Sequence, residues 1–276
     1  MRTFNMDLDD ASHQSTIPST RRVDNTKLVF YQISFRQLSL VTVLLPLVAL
    51  VLCFITAYTF QQSEIHETHC KVYNVIPSIS AITGISPERY LWRMSIALHL
   101  GPRFLISSVY YNYYASRVNL IVPASDQEWY AKLVKICYWV NITEISSLMG
   151  VTYISNRDNY PVHEKIFITF MISSLVYMLI SLIIYRRIHQ PMTKRQEISY
   201  AIKKLLFITS IICTAGLVIF FMKHRLFCHV LAFSWFALCE YIIASANMGY
   251  HVTVFLDFPN EVMAIAPKES SHGKED

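Results

Sequence analysis

Long apolar runs, parted by short polar connectors, fill most of the chain between Leu38 and Leu256. An uninterrupted apolar run of about eighteen residues or more is long enough to cross a bilayer as a helix. This pattern constrains the fold more than any single motif. The expected spans are 38–60, 94–115, 130–154, 166–185, 205–222 and 226–256, the last long enough to tilt or protrude. The expected fold class is an all-α polytopic membrane protein with six transmembrane helices. Composition agrees, since 53% of the 276 residues are hydrophobic and only 16% charged. That is too apolar for a water-soluble domain of this length.

Six spans put both termini on one face, and the basic residues say which. Sixteen Lys and Arg fall on the terminal side and seven on the other, leaving Arg103 within a span. The positive-inside rule then makes both termini cytosolic and turns the 61–93 loop toward the lumen or exterior. The net charge of +5 is explained by this orientation rather than by nucleic acid. Residues 1–37 carry Asp7, Asp9 and Asp10, lack the apolar core of a signal peptide, and read as a flexible cytosolic tail. Residues 257–276 read as a second cytosolic tail. Between the spans, 156–165 reads as a turn-rich connector, 186–204 as a basic loop that orients the chain or attracts anionic lipid, and Lys223-His224-Arg225 as a tight turn.

The stretch 68–103 concentrates polar chemistry at and below the membrane surface. An ionisable group in a span costs about 2.5–3.5 kcal/mol on insertion scales, so each is a functional candidate. With a rise of ~1.5 Å per residue, His99 lies ~7 Å and Arg103 ~14 Å below the surface at Met94. The two are one turn apart on one face. Glu144 comes out ~15 Å deep, and so does Glu240 when the last run protrudes by a turn at the lumen, which predicts a buried cluster of Arg103 with Glu144 and Glu240. One reading makes that cluster a structural clasp between helices. The other gives His99 a proton-transfer role. Glu240, Asn247 and His251 stand at i, i+7 and i+11, lining one face of the last span. The tyrosine-rich 110–114 reads as an interfacial aromatic belt. The sequon at Asn141 lies inside a span, where glycosylation is not expected.

Six cysteines show neither zinc spacing nor a Cys-x-x-Cys pair, and no metal and no cofactor is expected. Cys53, Cys137, Cys213 and Cys239 lie inside apolar runs as small hydrophobes. Cys70 and Cys228 both fall on the luminal side, where a disulfide is one reading. A nucleophilic Cys70 beside His69 is the other.

Several motifs occur in a fixed order: Thr68-His69-Cys70, Pro77-Ser78-Ile79-Ser80, Arg89-Tyr90-Leu91-Trp92-Arg93, His99-Leu100-Gly101-Pro102-Arg103, then Glu240-Tyr241, Asn247-Met248, His251 and Asp257-Phe258. In these the chain resembles the post-GPI-attachment-to-proteins factor two family, within the Frag/DRAM/Sfk group, over roughly residues 35–260. The resemblance implies a multi-pass protein of the Golgi membrane, with the endoplasmic reticulum as a further location. It implies lipid remodelling in GPI-anchor maturation, where lyso-GPI is re-acylated with a saturated chain. The implied partners are GPI lipid or lyso-GPI-anchored proteins, membrane lipids, and an acyl donor or a separate acyltransferase.

On this footing Arg89, Arg93 and His69 are candidates for the lipid headgroup, arginine being suited to bidentate phosphate contact. His99 is the candidate base and Arg103 the electrostatic stabiliser. No acyltransferase signature such as His followed four residues later by Asp is present, so catalyst and non-enzymatic lipid scaffold both stay open. A transporter or channel is the third reading, with Arg103, Glu144, Glu240 and His251 as a polar path. The chain shows no inverted repeat to support it.

Overall fold

In the computed structural model, residues 31–121 and 123–265 are described. Most of the expected tail 1–37, up to residue 30, lies outside them, as does the carboxyl tail from residue 266. The chain is mostly helical. In order come α1 (Phe35–Phe60), α2 (Gln62–Ile65), α3 (Ile79–Thr83), α4 (Glu88–Ala115), α5 (Ser125–Tyr153), α6 (Tyr160–Ile188), α7 (Lys194–Phe227), α8 (Ala232–Val252) and α9 (Val254–Asp257). A 3-10 turn, Val118–Leu120, precedes α5. Two four-residue strands, β1 (Tyr31–Ser34) and β2 (Val262–Ile265), border these helices in the sequence. The helices all belong to one unit, Ile33–Met263.

Local sequence explains the helix boundaries. Asn159 caps α6 by accepting from the Val162 N–H at 3.2 Å, and Pro161 stands in the first turn, where a missing N–H costs nothing. Arg186 and Arg187 close the same helix against its negative end. Thr193 and Gln196 form a reciprocal capping box at the start of α7. The most extensive packing joins α7 to α8, α5 to α6, α1 to α4 and α4 to α5.

The helices α1, α6 and α7 are long and apolar enough to cross a membrane. Their outer faces expose Leu40, Val48 and Ile55 on α1, Ile168 and Ile172 on α6, and Ile212 and Val218 on α7. Buried inside are Thr42, His99, Arg103, Glu144, Asn247 and His251. Apolar surface around a polar interior is the distribution that suits lipid as solvent, and a helix alone satisfies its backbone there. This is a membrane protein.

Three expectations change. The triplet Lys223-His224-Arg225 is helical, not a turn. Its cations complement the negative end of α7, which continues to Phe227. The reversal falls at 228–231, where Cys228 (φ 50°) and Leu231 (φ 63°) both adopt the left-handed conformation. Such conformations cost about 1 kcal/mol or more for a residue other than glycine and persist only when neighbours hold them. Here the Cys70–Cys228 disulfide holds one end, and the Leu231 N–H, donating to the Tyr73 carbonyl at 3.2 Å, holds the other. The second change follows: 226–256 is not one continuous run, because α8 begins only at Ala232 and gives way to α9 after Thr253. Thirdly, α4 starts at Glu88, so Arg89 and Arg93 stand on its first two turns rather than in a loop.

Candidate functional site

The site begins with a proline. Pro46 lies inside α1 and has no N–H, so the carbonyl of Thr42, four residues earlier, loses its helical partner. His99 on α4 fills the gap, donating from Nδ1 to Thr42 O at 2.6 Å. Arg103 Nη1, one turn further along α4 and able only to donate, lies 3.4 Å from Nε2, so the ring with its proton on Nδ1 turns the Nε2 lone pair to the guanidinium. The other guanidinium nitrogen, Nη2, reaches His251 Nε2 at 2.9 Å and Glu144 Oε1 at 3.4 Å. Asn247 Nδ2 donates to the same Glu144 oxygen at 2.7 Å and to Ser174 Oγ at 2.8 Å.

Helices α1, α4, α5, α6 and α8 thus converge on one buried arginine and one buried glutamate. Arg103 is 3% exposed and Glu144 0%, so neither ion has water to fall back on. Their mutual charge and the surrounding hydrogen bonds replace it. His251 Nε2 also lies 3.3 Å from Glu144 Oε1. Arginine can only donate, so the neutral ring accepts from Arg103. Turning the same nitrogen to Glu144 requires a proton on it.

This polar group lies beneath a cavity of about 110 Å³, lined by His99, Arg103 and Asn247 below and by Trp92, Phe167 and Ile243 on its sides. A second chamber, of about 300 Å³, borders it. Ser80, His163, Phe167, Leu217 and Glu240 belong to the walls of both. In that shared wall Ser80 Oγ lies 3.0 Å from His163 Nε2, and His163 Nδ1 donates to the Ile154 carbonyl at 2.7 Å. The larger chamber reaches the outer apolar surface at Ile168 and Val218, each about half exposed.

Glu240 does not join the Arg103 group. Its Oε2 accepts from the Ile79 N–H at the start of α3, at 2.8 Å. Seven residues separate it from Asn247, which is ~10 Å of helical rise, so one cluster cannot include both levels. The carboxylate instead secures the connector between α2 and α3 to α8. Ser234 on the same helix does likewise, accepting from the Val75 and Ile76 N–H groups at 2.8 and 3.3 Å.

The other sequence candidates lie further out. Arg93 meets Asp158 at 2.8 Å and donates to the Tyr153 carbonyl at 2.8 Å, while Arg89 is 3.6 Å from the same carboxylate. The Ser155 hydroxyl and N–H, then Arg93, hold the Asp158 carboxyl below its ordinary value. His69 is exposed beside Cys70, whose sulfur is bonded to Cys228 across a Cα separation of 5.4 Å. Among the described residues no group of three His, Cys, Asp or Glu is arranged to hold a metal.

Sequence reasoning missed two arrangements. Ser80 lies in the Pro77-Ser78-Ile79-Ser80 motif and His163 in the 156–165 connector, 83 residues apart, and only the tertiary fold pairs them. At the far end Lys203, assigned to a basic loop, is buried. It donates to Asp257 Oδ2 at 2.5 Å and Ser199 Oγ at 2.8 Å, and Tyr110 donates to the same carboxylate oxygen at 2.5 Å. The signal was faint: Ser199 and Lys203 share a helix face, but Asp257 lies 54 residues beyond Lys203.

Comparison with known proteins adds an independent line. Residues 34–261 match the Frag1/DRAM/Sfk1/Cwh43P N-terminal domain model. A Drosophila melanogaster protein named post-GPI attachment to proteins factor 2-like is 54% identical over 88% of this chain and 75% of its own. A Xenopus tropicalis protein named acyltransferase PGAP2 is 35% identical over 86% of this chain and 93% of its own. A Caenorhabditis briggsae post-GPI attachment to proteins factor 2 is 30% identical over 83% and 87%. No solved structure matches. Matched over nearly all of its helical region, the chain belongs to the Frag1/DRAM/Sfk1/Cwh43P N-terminal domain family, alongside the post-GPI attachment to proteins factor 2 relatives.

Proposed function

We propose that this protein acts in GPI-anchor maturation, in the re-acylation of a lyso-GPI lipid with a saturated fatty chain. The observation that carries this is the pairing of the two cavities with the family: apolar chambers inside a membrane protein, one reaching the outer surface and the other resting on Arg103. The relatives named for post-GPI attachment, one of them also named an acyltransferase, supply the substrate class. The lipid's chain would lie along Phe167 and Ile243, with its headgroup toward Arg89, Arg93 and His69. Six membrane crossings with cytosolic termini, in the Golgi membrane, turn the site toward the lumen, in keeping with the distribution of Lys and Arg.

In this reading Arg103 stabilises charge beneath the reacting carbonyl, and His99 holds the guanidinium in place. For His99 to act as a base, Arg103 must first leave its Nε2 lone pair. That geometry favours a second reading, in which the protein presents the lipid to a separate acyltransferase.

Lipid mass spectrometry of GPI anchors from cells lacking the protein tests the first reading. Accumulated lyso-GPI, or anchors without saturated chains, is expected; unchanged anchors would remove it. Purified protein given lyso-GPI and an acyl donor separates catalyst from scaffold. Product without a partner rules out the scaffold.

A further inference from the structure

We propose that Ser80 and His163 form a serine–histidine dyad in which Ser80 carries the fatty chain as an ester between a donor phospholipid and an acceptor lysolipid. The inference rests on the acyl-transfer reading above but moves the reacting carbonyl from Arg103 to the wall shared by the two cavities, at the level of Glu240, which leaves the Arg103 group as support for the helices.

The tautomer is set by geometry. A backbone carbonyl can only accept, so the 2.7 Å contact of Nδ1 with Ile154 O puts the ring proton on Nδ1. Nε2 then carries the lone pair, and the Ser80 hydroxyl at 3.0 Å is its donor. That is the relation a nucleophile and its base require, with a third group orienting the base. In this case the orienting group is a carbonyl rather than a carboxylate. Ser80 is fixed as firmly as His163, since the preceding Ile79 N–H is held by Glu240. A hydrogen bond that merely tied α3 to α6 would serve equally well away from any cavity. This one faces two.

The chamber also indicates the donor. It reaches the apolar flank at Ile168 and Val218, which gives a lipid chain a way in from the bilayer. A phospholipid acyl ester is the donor of that kind. In the first half-reaction Ser80 Oγ attacks the ester carbonyl while its proton passes to His163 Nε2. The bond from the carbonyl carbon to the glycerol oxygen breaks, and that oxygen takes the proton from His163. Lysophospholipid departs, leaving acyl-Ser80. In the second half the acceptor's hydroxyl gives its proton to Nε2 and its oxygen attacks the Ser80 ester. The bond to Oγ breaks, and the proton returns to Oγ.

The test uses full-length protein in lipid nanodiscs, treated with a long-chain alkyl fluorophosphonate and mapped by peptide mass spectrometry. An adduct on Ser80 is expected, absent from Ser80→Ala and formed on the order of 10²-fold more slowly in His163→Gln. Ser80→Cys, supplied with nanodisc phosphatidylcholine carrying a labelled chain, should retain label that neutral hydroxylamine removes. Label acquired only from soluble acyl-coenzyme A would overturn the phospholipid donor. Wild-type protein with no Ser80 adduct, its disulfide intact, would overturn the dyad. Labelling needs no GPI substrate, so this failure is distinct from finding normal anchors in cells without the protein.

Discussion

His99 donates to the carbonyl of Thr42 at 2.6 Å because Pro46, one turn along α1, has no N–H to claim it. A substitution at Pro46 should therefore be felt on α4. Alanine in a helix interior ordinarily gains about 3 kcal/mol over proline. In Pro46→Ala the new N–H competes with His99 for one carbonyl, so the gain should fall short. A double-mutant cycle of Pro46→Ala with His99→Ala, followed by thermal unfolding in detergent, should give a coupling of about 1 kcal/mol. Strict additivity would mean that the two sites are unlinked.

The Arg103–Glu144 pair should be costly to halve and cheap to remove whole. Arg103→Met alone leaves Glu144 buried without its cation, at a cost of about 3–5 kcal/mol. Adding Glu144→Leu should recover much of that loss. Unfolding midpoints of the single and double variants give the answer, and a double variant worse than both singles would contradict it.

Cysteines 70 and 228 close a loop across 158 residues of sequence. Cys70→Ser, Cys228→Ser and the double substitution should each lower stability by the same amount, about 2–4 kcal/mol. Unequal losses would show that one thiol has a separate role. Non-reducing gel mobility provides the accompanying check.

Asp158 sets the acid response of the connector between α5 and α6. Its folded value is lowered, so its contribution is present above the unfolded value and disappears as pH falls through the lower folded one. The tie to Arg93 should survive mild acid and loosen only below about pH 4. Limited proteolysis of this connector against pH measures it. Asp158→Asn should remove the dependence at a stability cost within about 1 kcal/mol, since the pair is open to solvent.

Long apolar runs made the helices legible, and residue depth put Arg103 and Glu144 at one level. Depth failed for Glu240 because it assumed an unbroken final run, whereas the left-handed residues Cys228 and Leu231 divide it. No periodicity announces a left-handed leucine. It exists because Tyr73, far off in sequence, receives its N–H. The Ser80–His163 contact was hidden for a similar reason: neither residue is unusual alone, and their pairing is set by tertiary packing. Lys203 illustrates a third limit, since a buried cation and a solvated one look alike until the carboxylate partner is located.

The attachment of the 70–79 connector to the 228–231 reversal, through Cys228 and Leu231, and to α8, through Ser234 and Glu240, makes this chain a closed circuit. What is translated early gains its shape only from what is translated late. A truncation that removes α8 would leave Ser80 in the sequence but without the support that positions it. Neither half of the gene could be borrowed as a working module.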